Sequence, residues 1–173
     1  MQRIIDLTRP IFSGMPVYPG DPDVEIEQHE TLESNGWNMK RIHMNGHDGT
    51  HVNVPIHAVA GGKTLDDYDV TDFYGPCVMY ETRDDIQKDV GVIFPYEPNE
   101  DMVEKLLEVR PLFVGCVEEI DELVEKRLLE HKIIVFERLV HTELLPKHFT
   151  FYGVPLRIKD GDGSPVRAFA VVE

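Results

Sequence analysis

Residues 43–57 read His-Met-Asn-Gly-His-Asp-Gly-Thr-His-Val-Asn-Val-Pro-Ile-His and hold four of the chain's eight histidines, His43, His47, His51 and His57. The last three are separated by four and six residues. Side chains at even spacings along an extended strand point to one face. His47, His51, Asn53 and His57 are therefore expected to project toward one pocket. Gly46 and Gly49 let the backbone come close to whatever fills it, and Pro55 ends any ladder before His57. Neutral imidazoles beside oxygen donors are the ligand set of a zinc or manganese site. None of the general short motifs has this spacing. On the residues alone, a metal or catalytic site stands beside the simpler reading of solvated histidines.

The stretch resembles the signature of the cyclase family of metal-dependent hydrolases, which includes bacterial kynurenine formamidase and isatin hydrolase. That signature reads His-x-Gly-Thr-His-x-Asp-x-Pro-x-His. Here it is His47-Asp48-Gly49-Thr50-His51-Val52-Asn53-Val54-Pro55-Ile56-His57, with Asn53 where the family has Asp. Pro16-Val17-Tyr18-Pro19-Gly20-Asp21 resembles the family's N-terminal Pro-x-aromatic-Pro-Gly-Asp element. Gly61-Gly62, Glu137-Arg138-Leu139, Leu145-Pro146 and Gly163-Ser164-Pro165-Val166-Arg167-Ala168 are similar to later family elements. The resemblance runs from Ile4 to the C-terminus and is poor between about Gly91 and Glu119, where the chain is shortened.

The resemblance implies two zinc ions. The first two histidines of the signature hold one, the signature Asp and a later Glu bridge both, and a His twelve residues before that Glu holds the second. Carried over, His47, His51 and Glu137 match ligands, His57 matches the general acid/base, and Tyr18 matches a substrate-facing aromatic. Asn53 and Glu125 stand where a bridging Asp and the second-site His are implied. An amide is a neutral, weak ligand, yet Asn plus Glu carries the same formal charge as Asp plus neutral His. Either the site is re-specified, with one ion or a harder ion such as manganese, or it has decayed and Glu125 is a solvated helix residue. The implied activity is hydrolysis of a small-molecule amide, with N-formylkynurenine as the default substrate. A cyclic amide or lactone is a close alternative. The contrasting class is a metal-poor relative that binds a small ligand without turnover. A homodimer, with the N-terminal loop near a neighbour's pocket, is also implied.

The rest of the chain must position these groups. A length of 173 residues suits one domain with one core, residues 1–173. The formal net charge of −15 argues against nucleic acid and anionic membranes as partners. No run reaches the roughly 18 apolar residues of a membrane span, and residues 1–7 carry no signal-peptide core. Cys77 and Cys116 make no disulfide framework and read as buried small hydrophobes. A reducing cytoplasm is the expected location.

Strands are expected at 3–8, 24–32, 37–44, 77–80, 90–94, 112–117, 133–136, 149–159 and 166–172, from alternating or short apolar runs. Residues 10–23 are too dense in Pro and Gly for regular structure, and Gly75-Pro76 reads as a break. Helices are expected from Asn99 or Glu100 to Val109 and over 121–131, the second with a stripe of Leu123, Val124, Leu128 and Leu129. Many strands and about two core helices make a mixed α/β chain of the α+β type. The resemblance implies a swivelling β/β/α domain, a β-barrel-like core flanked by helices.

Overall fold

The computed structural model describes residues 2–173. Nine strands form one curled mixed sheet: β1 (Arg3–Asp6), β4 (His51–Asn53), β5 (Tyr74–Met79), β6 (Gly91–Phe94), β7 (Val114–Cys116), β8 (Val135–Glu137), β9 (His148–Tyr152), β10 (Gly163–Pro165) and β11 (Phe169–Val172). Their order is β1-β11-β9-β5-β6-β7-β8-β4-β10. The four strands β5 to β8 are parallel and the flanking pairs antiparallel. Helix α2 (Glu100–Val109) connects β6 to β7, and α3 (Glu122–Glu130) connects β7 to β8. β2 (Glu25–Glu30), a short helix α1 (Leu32–Asn35) and β3 (Met39–His43) form a separate two-stranded ribbon. The ribbon is largely exposed, including Trp37, Met39 and Ile42. This is the mixed α+β, helix-flanked curled sheet expected from the sequence.

Period-2 alternation divides the strands between two apolar clusters. Ile93, Phe136, Phe151, Val52 and Ala170 pack on one face of the sheet. Val92, Phe94, Val114, Cys116 and Val135 pack on the other, against Leu106 of α2 and Leu128 and Leu129 of α3. Each helix is capped where its sequence offers an oxygen. Asn99 accepts from the Met102 N–H, and Asp121 from those of Leu123 and Val124.

This alternation sets up the site. β4 and β8 pair with His51 opposite Glu137, Val52 opposite Phe136 and Asn53 opposite Val135. Val52 and Phe136 enter one cluster, so His51, Asn53 and Glu137 must leave on the helix-bearing face, where α3 packs.

Three local expectations give way to tertiary structure. Residues 43–57 are not one extended segment: β4 spans only His51–Asn53, His47 sits in the preceding turn, and Pro55–His57 is a 3-10 turn. Gly75 and Pro76 lie inside β5 rather than breaking it. β6 joins only from Cys77 onward, so Pro76 has a partner strand on one side alone and its missing N–H is tolerated. In α3, Leu123 is exposed, and the buried stripe is Glu125, Leu128 and Leu129.

Candidate metal centre

The residues singled out in the sequence converge on a cavity of about 430 Å³ lined by Tyr18, His47, His51, Asn53, His57, Glu125 and Glu137, with Glu119, Glu122 and Lys126 along its α3 side. His51, Asn53, Glu125 and Glu137 are buried, while His57 and Tyr18 stand at the open side.

Each inner group is held by an identifiable contact. His51 Nδ1 faces the Gly49 carbonyl at 2.9 Å, and Gly49 adopts φ +69°, a turn that a glycine makes without strain. Glu137 Oε1 accepts the Ile120 N–H at 2.6 Å. Its neighbour Arg138 is buried in a left-handed conformation, φ 56°. That costly backbone is secured by an ion pair to Glu119, by the Arg138 guanidinium donating to the Pro16 carbonyl, and by the Thr50 hydroxyl donating to the Arg138 carbonyl at 2.7 Å. The clamp joins the Tyr18 loop, the His turn and the Glu137 strand. On the open side the Tyr18 phenol donates to Glu122, and that hydrogen bond, followed by the Glu122 charge, raises the phenol pKa.

The Asn53 amide fixes the hydrogen-bonding sense of the centre. Its Nδ2 donates to Glu125 and, at 3.1 Å, to Glu137 Oε2. Its Oδ1 is left facing His47 Nδ1 at 2.7 Å. Burial pushes Glu137 upward, but the His51 ring, the Ile120 N–H and the Asn53 amide outweigh it and hold the carboxyl below its ordinary range. Burial, then the Glu137 charge, pushes Glu125 up to about 8. The two acids are therefore driven apart, Glu137 ionised and Glu125 neutral at pH 7. Burial, with the charge on His47, lowers His57, so its ring is neutral at pH 7.

A residue the sequence reading passed over completes the cluster. Asp162 Oδ2 lies 3.0 Å from His47 Nε2 and 3.4 Å from His57 Nδ1. Burial raises its carboxyl, but the two histidines outweigh that and leave it below the usual range. The sequence places it in Asp160-Gly161-Asp162-Gly163, which reads as a turn. The structure ties it in through Gly163, which pairs with Asn53 and where a Cβ would lie 2.4 Å from the His47 ring.

The donor set suits a cation. His51 presents its ring to two acceptors, Gly49 O at 2.9 Å and Glu137 Oε2 at 3.3 Å. A neutral imidazole has one N–H, so a neutral ring leaves one of these two acceptors without a donor, a place a cation can take. A nitrogen and an oxygen each about 2.0–2.2 Å from one ion lie roughly 3.0–3.5 Å apart, the spacing observed. The cysteines take no part: both are buried, and burial raises Cys77 well above its ordinary value and Cys116 to about 11.

Comparison with known proteins gives a consistent pattern. The kynurenine formamidase of Sphingopyxis alaskensis is 25% identical over 203 residues, covering 97% of each chain. A predicted metal-dependent hydrolase from Bacillus stearothermophilus has a TM-score of 0.81 at 25% identity, covering 99% of this chain and 98% of its own. Isatin hydrolase A from Ralstonia solanacearum shares the fold, with a TM-score of 0.83 at 18% identity over 99% of this chain and 92% of its own. The family described as Putative cyclase matches residues 5–109, which include the whole histidine segment but stop short of Glu125, Glu137 and Asp162. With that match spanning more than half of its length, the chain belongs to the cyclase family.

Proposed function

We propose that the chain is a metal-dependent hydrolase of a small-molecule amide. The observation that carries this reading is one cavity lined by His47, His51, Asn53, His57, Glu125 and Glu137, in which His51 Nε2 lies 3.3 Å from Glu137 Oε2. His47, His51 and Glu137 would hold zinc or manganese, with Asn53 and Glu125 on the same wall, as one or two ions. When bound, a divalent ion polarises a carbonyl and lowers the pKa of water toward neutrality.

The remaining work falls to the chain's own groups. His57, neutral at pH 7 and facing the cavity, can take a proton at its ring nitrogen and return it to a leaving amine. Tyr18 at the open side offers an aromatic face to an aryl substrate. Glu122 and Lys126 offer opposite charges to a zwitterionic one. A cavity of about 430 Å³ accommodates a small molecule rather than a polymer. Kynurenine formamidase relatives make N-formylkynurenine the first substrate to try, with cyclic amides and lactones next.

The test is hydrolysis by untagged protein, with metal content measured in parallel. Activity should vanish after chelation and return with zinc or manganese. Protein that takes up neither ion and hydrolyses none of these substrates would overturn the proposal. One feature favours a second reading, ligand binding without turnover: the Asn53 amide donates to both carboxylates where a bridging anion would otherwise meet a cation. Ligand affinity without hydrolysis in the metal-loaded protein would select it. A homodimer belongs to the proposal, and the exposed apolar ribbon supports it. Light scattering tests that part.

A further inference from the structure

His47 lies between two acceptors. Its Nδ1 is 2.7 Å from Asn53 Oδ1 and its Nε2 is 3.0 Å from Asp162 Oδ2. The amide cannot be turned over to relieve this, because Asn53 Nδ2 is needed as donor to Glu137 Oε2 at 3.1 Å. A neutral ring has one N–H for two acceptors. One of the two contacts is therefore left without a proton, and a cation held between Nε2 and the Asp162 carboxylate relieves it. His57 brings its Nδ1 to within 3.4 Å of the same oxygen, its ring 4.0 Å from that of His47. One ligand atom from each of His47, His57 and Asp162 lies within 4.8 Å of the others.

The arrangement is built into the sheet. The Asp162 carbonyl accepts the Val54 N–H at 3.1 Å, and the next residue, Gly163, pairs with Asn53. No side chain at 163 fits beside His47. Asp162 is thus delivered to the two histidines by the same β4–β10 ladder that positions Asn53.

We infer that Asp162 is an ion ligand of this centre: its carboxylate and His47 Nε2 share a cation, while the same carboxylate accepts the Nδ1 proton of His57 and leaves His57 Nε2 as the basic nitrogen. The inference deepens the hydrolase reading and rests on it. Asp162 supplies an anionic oxygen that Asn53, an amide, cannot. Toward His57 it acts as a positioning residue, since a neutral imidazole whose proton is fixed on one nitrogen presents the other as base.

The test is ion binding by the full chain after chelation, with Zn²⁺ and Mn²⁺ as probes, for wild type, Asp162→Asn, Asp162→Glu and His51→Ala. Asp162→Asn should weaken binding by about 10- to 100-fold or more, and Asp162→Glu should restore most of it. The metal-free Asp162→Asn protein should melt no lower than wild type, because an amide at 162 can either donate to His47 Nε2 or accept from it. A merely structural Asp162 would give the opposite, lower melting with intact ion affinity. Nitrogen-15 NMR of the metal-free wild type should find the His57 proton on Nδ1, and Asp162→Asn should redistribute it. Equal ion affinity in wild type and Asp162→Asn, with loss only in His51→Ala, overturns this inference and leaves the hydrolase reading standing. Absence of binding in wild type overturns both, and a His57 proton on Nε2 in wild type overturns the positioning role.

Discussion

Glu125→Gln isolates the least usual feature of the centre, a carboxyl buried against another carboxyl. In the folded, metal-free protein Glu125 holds its proton up to about pH 8, whereas its ordinary value is 4.5. Between those values the folded chain binds a proton that the unfolded chain has released, so stability falls as pH rises. At about 1.4 kcal/mol per pH unit, the whole interval amounts to roughly 4–5 kcal/mol. His57 works in the opposite sense. Its pKa is lowered in the folded state, so it adds stability with rising pH only up to its ordinary value of 6.5. Glu137 is lowered, and its effect lies below its ordinary 4.5. From pH 6.5 to 8, the slope of these three therefore belongs to Glu125, and wild type should lose about 2 kcal/mol there. Gln is close in shape, accepts the Asn53 N–H through its carbonyl and has no proton to lose. Urea denaturation in the presence of a chelator, repeated across that range, should give a falling line for wild type and a level one for Glu125→Gln, with the variant the more stable at pH 8. Parallel lines would refute the buried neutral Glu125.

Three further outcomes follow from the same geometry. Asn53→Asp removes the amide that donates to both Glu125 and Glu137 and adds a third acid, so the metal-free protein should lose roughly 2–4 kcal/mol of stability, while zinc affinity rises; denaturation in chelator and in excess zinc should move in opposite directions. Gly163→Ala would place a methyl within 2.4 Å of His47 and 2.8 Å of the Val52 carbonyl, so zinc affinity should fall by at least tenfold, read by competition with a chromogenic chelator. Phe136→Ala empties a fully buried position between Phe113 and Phe151 and should cost about 3–5 kcal/mol in urea denaturation, with a loss of zinc affinity because Phe136 fixes the face on which Glu137 emerges.

Much of the scaffold was legible because it follows local rules. The apolar stripe from Met102 to Leu107, bounded by Asn99 and Pro111, specifies α2 closely. The uninterrupted apolar runs at β6, β7 and β8 mark strands covered on both faces. The histidine cluster was legible for a different reason, its concentration in fifteen residues, and the strand reading brought the right side chains together through partly wrong geometry. Only His51 and Asn53 share a strand face; His47 and His57 arrive from the turns on either side. Asp162 was not legible, because a residue 115 positions from His47 is brought to it only by the β4–β10 pairing. Nothing in Asp-Gly-Asp-Gly distinguishes a solvated turn from a carboxylate aimed at two imidazoles.

The misread face of α3 shows what hides such a site. Leu123, Val124, Leu128 and Leu129 are the apolar members of the helix, and a stripe drawn through them points Leu123 inward. The helix instead buries positions 125, 128 and 129, the i, i+3, i+4 set, and leaves Leu123 73% exposed at the cavity mouth. The periodicity is ordinary; what disguises it is that one position of the inward stripe carries a carboxyl. That carboxyl is tolerated because β4 and β8 turn Asn53 and Glu137 toward the same spot, where an amide can donate to both acids. Polar groups on the inward faces of α3, β4 and β8 thus account for one another. The same substitution of polar for apolar that degrades the amphipathic signal of α3 identifies the wall on which this chain departs from the family signature.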